Sequence, residues 1–226
     1  MNLTTSYRDC FSSEILARYQ FAETRNAARI LSVTNAAAFD QLQDVLQRFT
    51  LRTDDLLKPG GQESDLAARL NRMFRVLGWR EARVDTLIRL SLQLTPLASL
   101  GDERLEPVIT ETVNEGYKVD NFRDRVALDV EWNAKDGNLD RDISAYRALY
   151  DAALIDAGVL LTRTMDLRDL GRELALQAGF SEDRAKRILN TTTTTNSEKL
   201  LPRLTRGDAG GCPILAVFIA RETHVP

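Results

Sequence analysis

The segment VDNFRDRVALDVEWNAK, residues 119–135, decides how the rest of the chain is read. Tyr117 to Phe122 reads as extended, Arg123-Asp124 as a turn, and Arg125 to Asn133 as a second extended run. In that second run Val126, Leu128, Val130 and Trp132 share one face at period two, and Ala127, Asp129, Glu131, Asn133 and Lys135 fall on the other. A turn near Asp124 sets Asp120 across from residues 128 and 129. Neighbouring strands lie about 4.8 Å apart, so the carboxylates of Asp120, Asp129 and Glu131 come within reach of one another. Strand positions favour β-branched and aromatic residues, so three like charges there call for a chemical reason.

One such reason is a hard divalent cation. Carboxylate oxygens suit Mg²⁺, which keeps several waters, lowers the pKa of one of them and neutralises charge on a phosphoryl or leaving oxygen. That is phosphodiester hydrolysis without a histidine. The competing reading pairs the acids with Arg123, Arg125 and Lys135 as a surface ion network.

Outward from this hairpin, the first hundred residues read as mostly helical. Phe11–Ala28 and Ala37–Phe49 carry helical spacing, and Lys58-Pro59-Gly60-Gly61 is a break. Ser64 or Glu63 opens a helix with a Leu66, Leu70, Phe74, Leu77 stripe that Gly78 stops. Trp79–Thr86 alternates as a strand, Leu87–Leu100 is apolar without a clear period, and Glu106–Asn114 reads as a short helix ended by Gly116. After the Asp136-Gly137-Asn138 turn come a helix over 141–153, a strand over 158–162, a helix over 166–178, and a Ser181-capped helix to Leu189. A polar loop from Thr191 to Ser197 precedes a final strand, Pro213–Ala220. Alternating strands and helices imply an α/β fold, a mixed β-sheet core flanked by helices with a mostly helical N-terminal part. The expected organisation is one domain over 1–226, with residues 1–58 a helical lobe and 62–226 the core.

The 226 residues are 43% hydrophobic and 28% charged, ordinary for a globular protein. A single histidine, His224, excludes histidine-rich metal sites and disfavours Ser-His-Asp or Cys-His catalysis; two residues from the end, it reads as a frayed terminus. Cys10 and Cys212 make no metal pattern and are expected reduced. The start, MNLTTSYRDCF, lacks a basic stretch followed by an apolar run, so it does not read as a secretory signal and a cytoplasmic setting is expected. Net charge is −3, but it is unevenly spread. Residues 101–160 are acid-rich, whereas 184–206 carry Arg184, Lys186, Arg187, Lys199, Arg203 and Arg206 against only Glu198.

The segment 119–135 resembles the active-site strand pair of the PD-(D/E)XK nucleases, and most closely the BglII and BstYI type of restriction endonuclease. The pattern of that type is Asp, eight residues, an acid, one residue, then Glu or Gln, which Asp120, Asp129 and Glu131 fit. The wider superfamily usually has Lys where this chain has Glu131. IDAGVLLTRTMDL (155–167), RGDAGGCPILAVFIA (206–220) and LGWREARV (77–84) resemble the family more weakly.

The resemblance implies a homodimer that cuts each strand of duplex DNA once at a short palindrome, with Mg²⁺ as cofactor and a cognate DNA methyltransferase in the same system. It implies Asp120, Asp129 and the Val130 carbonyl as metal ligands, and Glu131 positioning or activating the attacking water. Asn133, Lys135, Arg203, Arg206 and Asp208 are the candidate DNA contacts, the last three expected in a loop before the final strand. Arg184, Lys186, Arg187, Lys199 and the threonine run are candidates for phosphates. The alternatives are a repair or structure-specific nuclease using the same acids, and a non-catalytic helical interaction protein.

Overall fold

A computed structural model describes residues 1–58, 64–97, 101 and 103–225 of the protein. The elements in order are α1 (Tyr7–Cys10), α2 (Ser13–Arg18), β1 (Tyr19–Glu23), α3 (Ala27–Thr34), α4 (Ala36–Arg48), β2 (Leu51–Arg52), α5 (Thr53–Leu57), α6 (Asp65–Val76), β3 (Arg80–Leu92), β4 (Val108–Arg123) and β5 (Val126–Val130). There follow α7 (Gly137–Asp151), β6 (Ala157–Arg163), α8 (Leu167–Gln177), α9 (Glu182–Ala185), α10 (Ser197–Arg206), β7 (Ile214–Ile219) and β8 (His224–Val225).

Six strands form a mixed sheet in the order β1-β7-β6-β5-β4-β3, and β2 pairs with β8 separately. The centre is parallel: β5 pairs with β6 and β6 with β7, while β1 and β4 run antiparallel to β7 and β5. All residues of β5, β6 and β7 are buried. Sheets with parallel strands need cover on both faces, and strand parity divides the residues between them. Val126, Leu128, Val130, Val159, Leu161, Leu215 and Val217 join the core made with α2, α3, α4 and α6. Ala127 and Asp129 point to the other face, where α7 supplies Leu139, Ile143, Tyr146 and Leu149. This is the mixed α/β sheet flanked by helices that the sequence predicts.

Several local expectations need correcting. The stretch 11–28 is not one helix: α2 ends at Arg18 and Tyr19–Glu23 becomes the sheet's edge strand. Burial overrides the helical spacing there, because Tyr19 and Ala22 seal the end of the sheet and Glu23, fully buried, accepts hydrogen bonds from the Ala28 and Tyr7 amides at 2.8 and 3.2 Å. Residues 106–114 hold no helix: from Val108 on they are strand, as the β-branched run Val108-Ile109-Thr110 favours. The Ser181-capped helix stops at Ala185. Residues 197–206, unread in the sequence, form α10 with Asn196 as its cap. Pro213–Ala220 is not the last strand: His224 sits in β8, its Nε2 3.1 Å from Thr53 Oγ1, so it is tied down rather than frayed. Ser64 does cap α6, accepting from the Ala67 amide, and Gly78 ends it at φ +96°. Glu63 and the 59–61 break lie outside the described residues.

Residues Arg83–Lys118 form a compact unit of their own, and Met1–Ala82 with Val119–Pro226 form the other. This arm carries charged pairs Arg83–Glu115 and Arg89–Glu111 across its strands. A Cβ on Gly116 would lie 1.3 Å from the Val84 carbonyl oxygen, so only glycine fits there. Among the described residues no helix is long and apolar enough to cross a membrane, and both cysteines are free.

Candidate active site

The β4–β5 hairpin closes on Asp124 and Arg125, both at positive φ (46° and 64°), the backbone of a tight two-residue turn that fits the twist of the strands. The register Asn121↔Leu128, Phe122↔Ala127, Arg123↔Val126 then brings Asp120 opposite Asp129. The Asp120 amide donates to Asp129 Oδ1 at 2.8 Å, and Asp120 Oδ2 accepts from the Val130 amide at 3.4 Å. Glu131, one residue beyond β5, still donates its amide to Leu161 O at 2.8 Å, and its own carbonyl accepts from Thr195 Oγ1 at 2.8 Å. The three predicted acids therefore gather on one face of the hairpin. Arg123 and Arg125 pair with Asp124 and Asp156, away from them.

A helix completes the site. Asp142 and Tyr146 lie one turn apart on α7 and face the strand acids. Tyr146 Oη is 2.6 Å from Asp129 Oδ2 and 2.9 Å from Val159 O. Gly158 on β6 makes the space: a Cβ there would come within 2.1 Å of the Tyr146 ring. Asp142 is 2% exposed and pairs through Oδ1 with Arg141 at 3.2 Å, while its Oδ2 is buried with no N–H donor among the described residues, facing only the Glu131 carboxyl. Asn138 approaches Glu131 at 3.5 Å. Neither Asp142 nor Tyr146 is singled out in the sequence reading. The signal was available, because Asp142 interrupts the apolar stripe Leu139, Ile143, Tyr146, Leu149, where a charge has no cheap reason to sit.

Buried like charges dictate the electrostatics. Burial, then the Asp142 and Asp120 carboxylates, push Asp129 up to about 8, against the Tyr146 and Asp120 hydrogen bonds. Burial, then Asp142, push Glu131 up to about 9. Burial raises Asp142 as well, opposed by hydrogen bonding with Glu131 and by Arg141. In the absence of a cation the cluster thus keeps protons at neutral pH. The donor set is all oxygen, the chemistry of a hard divalent ion, and the orphaned Asp142 Oδ2 fits it too. As they stand, though, no three His, Cys, Asp or Glu side chains among the described residues are arranged to hold one ion, so closing around a metal takes side-chain rotation.

The expected DNA contacts are mostly engaged elsewhere. The strand ends at Val130 and Asn133 adopts φ 54°, so period two no longer places Asn133 or Lys135 on the acids' face. Asn133 Oδ1 accepts from the buried Arg163 Nε at 3.1 Å; Lys135 is exposed, its backbone bridged to Thr194. Arg203 and Arg206 lie in the last turn of α10 rather than in a loop, because Leu200 and Leu204 anchor that segment as a helix. Arg203 holds Asp140 of α7 with two 2.7 Å hydrogen bonds, and Arg206 pairs with Asp208 at 2.7 Å. Arg184 and Arg187 instead line a cavity of about 790 Å³ with Trp132, Asn133, Thr191 and Thr194. That cavity lies beside the chain leaving β5, and none of the four acids lines it.

A mixed sheet whose central hairpin and crossover helix gather four carboxylates, three of them buried, defines a protein of the restriction-endonuclease-like class. Residues 19–219 match the family model described as "Restriction endonuclease BglII/BglIII". The chain belongs to that family, and with it to the nucleases that act on DNA. No curated protein matches it.

Proposed function

We propose that the chain is a type II endonuclease that hydrolyses double-stranded DNA at a short palindrome as a Mg²⁺-dependent homodimer. The observation that carries the reading is the convergence of Asp120, Asp129 and Glu131 on one face of the β4–β5 hairpin in a chain of this family. Restriction endonucleases of this kind generally use a divalent metal, and the oxygen donors here suit Mg²⁺. When bound, the ion acidifies a water and neutralises charge building on the phosphate. Asp120, Asp129 and the Val130 carbonyl would hold it. Glu131, buried at the end of the same strand, orients the attacking water and takes up its proton.

Sequence reading of DNA falls to the segment after β5, with the exposed Lys135, and to the cavity next to it, with Asn133 in its lining and Arg184 and Arg187 as phosphate contacts. Arg206 and Asp208 reach bases only by exchanging their mutual pair for guanine and cytosine edges. A methyltransferase of the same specificity is the expected companion in the cytoplasm of a bacterial host.

The test is incubation with plasmid and phage DNA in Mg²⁺, read on a gel. Discrete bands with constant ends establish the restriction activity. A smear moves the chain to the nonspecific or structure-specific nucleases, and intact DNA refutes catalysis.

A further inference from the structure

Helix α7 leaves β5 and returns to the parallel strand β6, so it lies across the sheet face that carries the acids. Asp129 and Glu131 are two residues apart on an extended chain, about 6.6 Å. Asp142 and Tyr146 are four apart on a helix, about 6 Å. The two spacings match, and each strand acid meets one helix residue: Tyr146 at Asp129, Asp142 at Glu131.

The two helix residues are not equivalent. Tyr146 has partners for its hydroxyl, whereas Asp142 is 2% exposed with one oxygen on Arg141 and the other, among the described residues, on no N–H donor and met only by the Glu131 carboxyl. A buried carboxylate oxygen lacking a partner is costly unless something fills its coordination. Among the described residues only another carboxyl, that of Glu131, stands next to it.

Resting on the nuclease reading, we propose that Asp142 is a fourth carboxylate of the cation site, turning Oδ2 to the ion and fixing Glu131 beside it. Arg141 holds the other oxygen and so aims the group. The metal set then comes from two elements, the hairpin and α7, and binding an ion ties the helix to the sheet.

Calcium titrated calorimetrically into the full chain, without DNA, tests this. Wild type and Asp151→Asn, an exposed acid of the same helix, are expected to bind Ca²⁺ alike. Asp142→Asn is expected to lower the affinity at least tenfold and to abolish the Ca²⁺-induced rise in Tm, with its circular dichroism unchanged. If the Asn variant does not fold, Asp142→Ser is read the same way. Wild-type Ca²⁺ affinity in these variants, or no Ca²⁺ binding by the wild type, overturns the proposal. Cleavage is scored apart: a wild type that binds Ca²⁺ through Asp142 yet leaves DNA intact in Mg²⁺ removes the nuclease reading and keeps this one. A wild type that cuts, with Asp142→Asn equal to it in affinity and rate, removes this one alone.

Discussion

Tyr146 and Asp129 meet through a 2.6 Å contact whose direction depends on one proton. The Tyr146 hydroxyl has a single hydrogen and two acceptors in range, Asp129 Oδ2 and the Val159 carbonyl at 2.9 Å. While Asp129 is protonated, it can donate to Tyr146, which then donates to Val159. Once Asp129 is ionised, Tyr146 turns its hydrogen to the carboxylate. The hydroxyl thus serves both states of the acid and favours the ionised one.

Tyr146→Phe removes that donor. Asp129 then stays protonated to higher pH, because the Tyr146 hydrogen bond is one of the two contacts holding its pKa down. Cleavage at pH 7 is expected to fall about tenfold, the worth of one such bond to a charged group. Activity is recovered as pH rises. A pH–rate profile at saturating Mg²⁺ checks it; an unshifted profile contradicts the assignment.

Asp120→Asn and Asp129→Asn are expected to abolish cleavage, by at least a thousandfold, yet leave DNA affinity in EDTA equal or higher. Each removes a negative charge that would face phosphate. Gel-shift and cleavage assays on the same preparations decide it, and near wild-type cutting by either variant means the site is misassigned.

The stability of the metal-free protein should change with pH in a direction these acids set. Asp129 and Glu131 have folded-state pKa values raised to about 8 and about 9, above their ordinary carboxylate values. Groups raised in the folded state contribute stability in full below the unfolded pKa and lose it as pH climbs through the folded one. The apo Tm is therefore expected to decline between about pH 4 and pH 9, and Ca²⁺ to restore more of it at pH 8.5 than at pH 6. Thermal melts at several pH values with and without Ca²⁺ test this. A Ca²⁺ effect independent of pH would contradict it.

The hairpin and its three acids were legible in the sequence because a strand makes parity visible: Asp129 and Glu131 must share a face, and the turn at Asp124 leaves little freedom for Asp120. Asp142 shows in the sequence as a charge within an apolar helix stripe, but its partner does not, because that partner lies across a crossover at no spacing the sequence displays. Parity also failed past Val130, where Asn133 turns left-handed and breaks the alternation. Residues 19–23 look helical by composition, and only pairing with β7 makes them a strand.

Gly158→Ala probes the packing under the site. A methyl 2.1 Å from the Tyr146 ring forces the ring or β6 to move, and over-filling a close-packed interior costs about 1–3 kcal/mol. Tm should drop by several degrees. Activity should drop beyond that loss, since the moving ring carries the Asp129 partner. Gly179→Ala, with nothing within 4 Å of the added methyl but φ at +79°, serves as the comparison: it is expected to lose stability by backbone strain while keeping its rate when folded.

Two classes of arginine should separate by what their loss changes. Arg203 is only 14% exposed and ties α10 to Asp140 of α7 through paired hydrogen bonds, so Arg203→Ala is expected to lower Tm with little change in the salt dependence of DNA binding. Arg184 and Arg187 line the cavity beside the chain that leaves β5, and Arg184 stacks on Phe180 at 3.8 Å, which stiffens it at low entropic cost. Their alanine variants should fold normally, bind all duplex sequences more weakly, and each reduce the slope of log K against log salt by about 1, the signature of one lost phosphate contact. Binding isotherms at three salt concentrations distinguish the two. An unchanged slope for Arg184→Ala and Arg187→Ala would place the DNA path elsewhere on the surface, away from the chain that leaves β5.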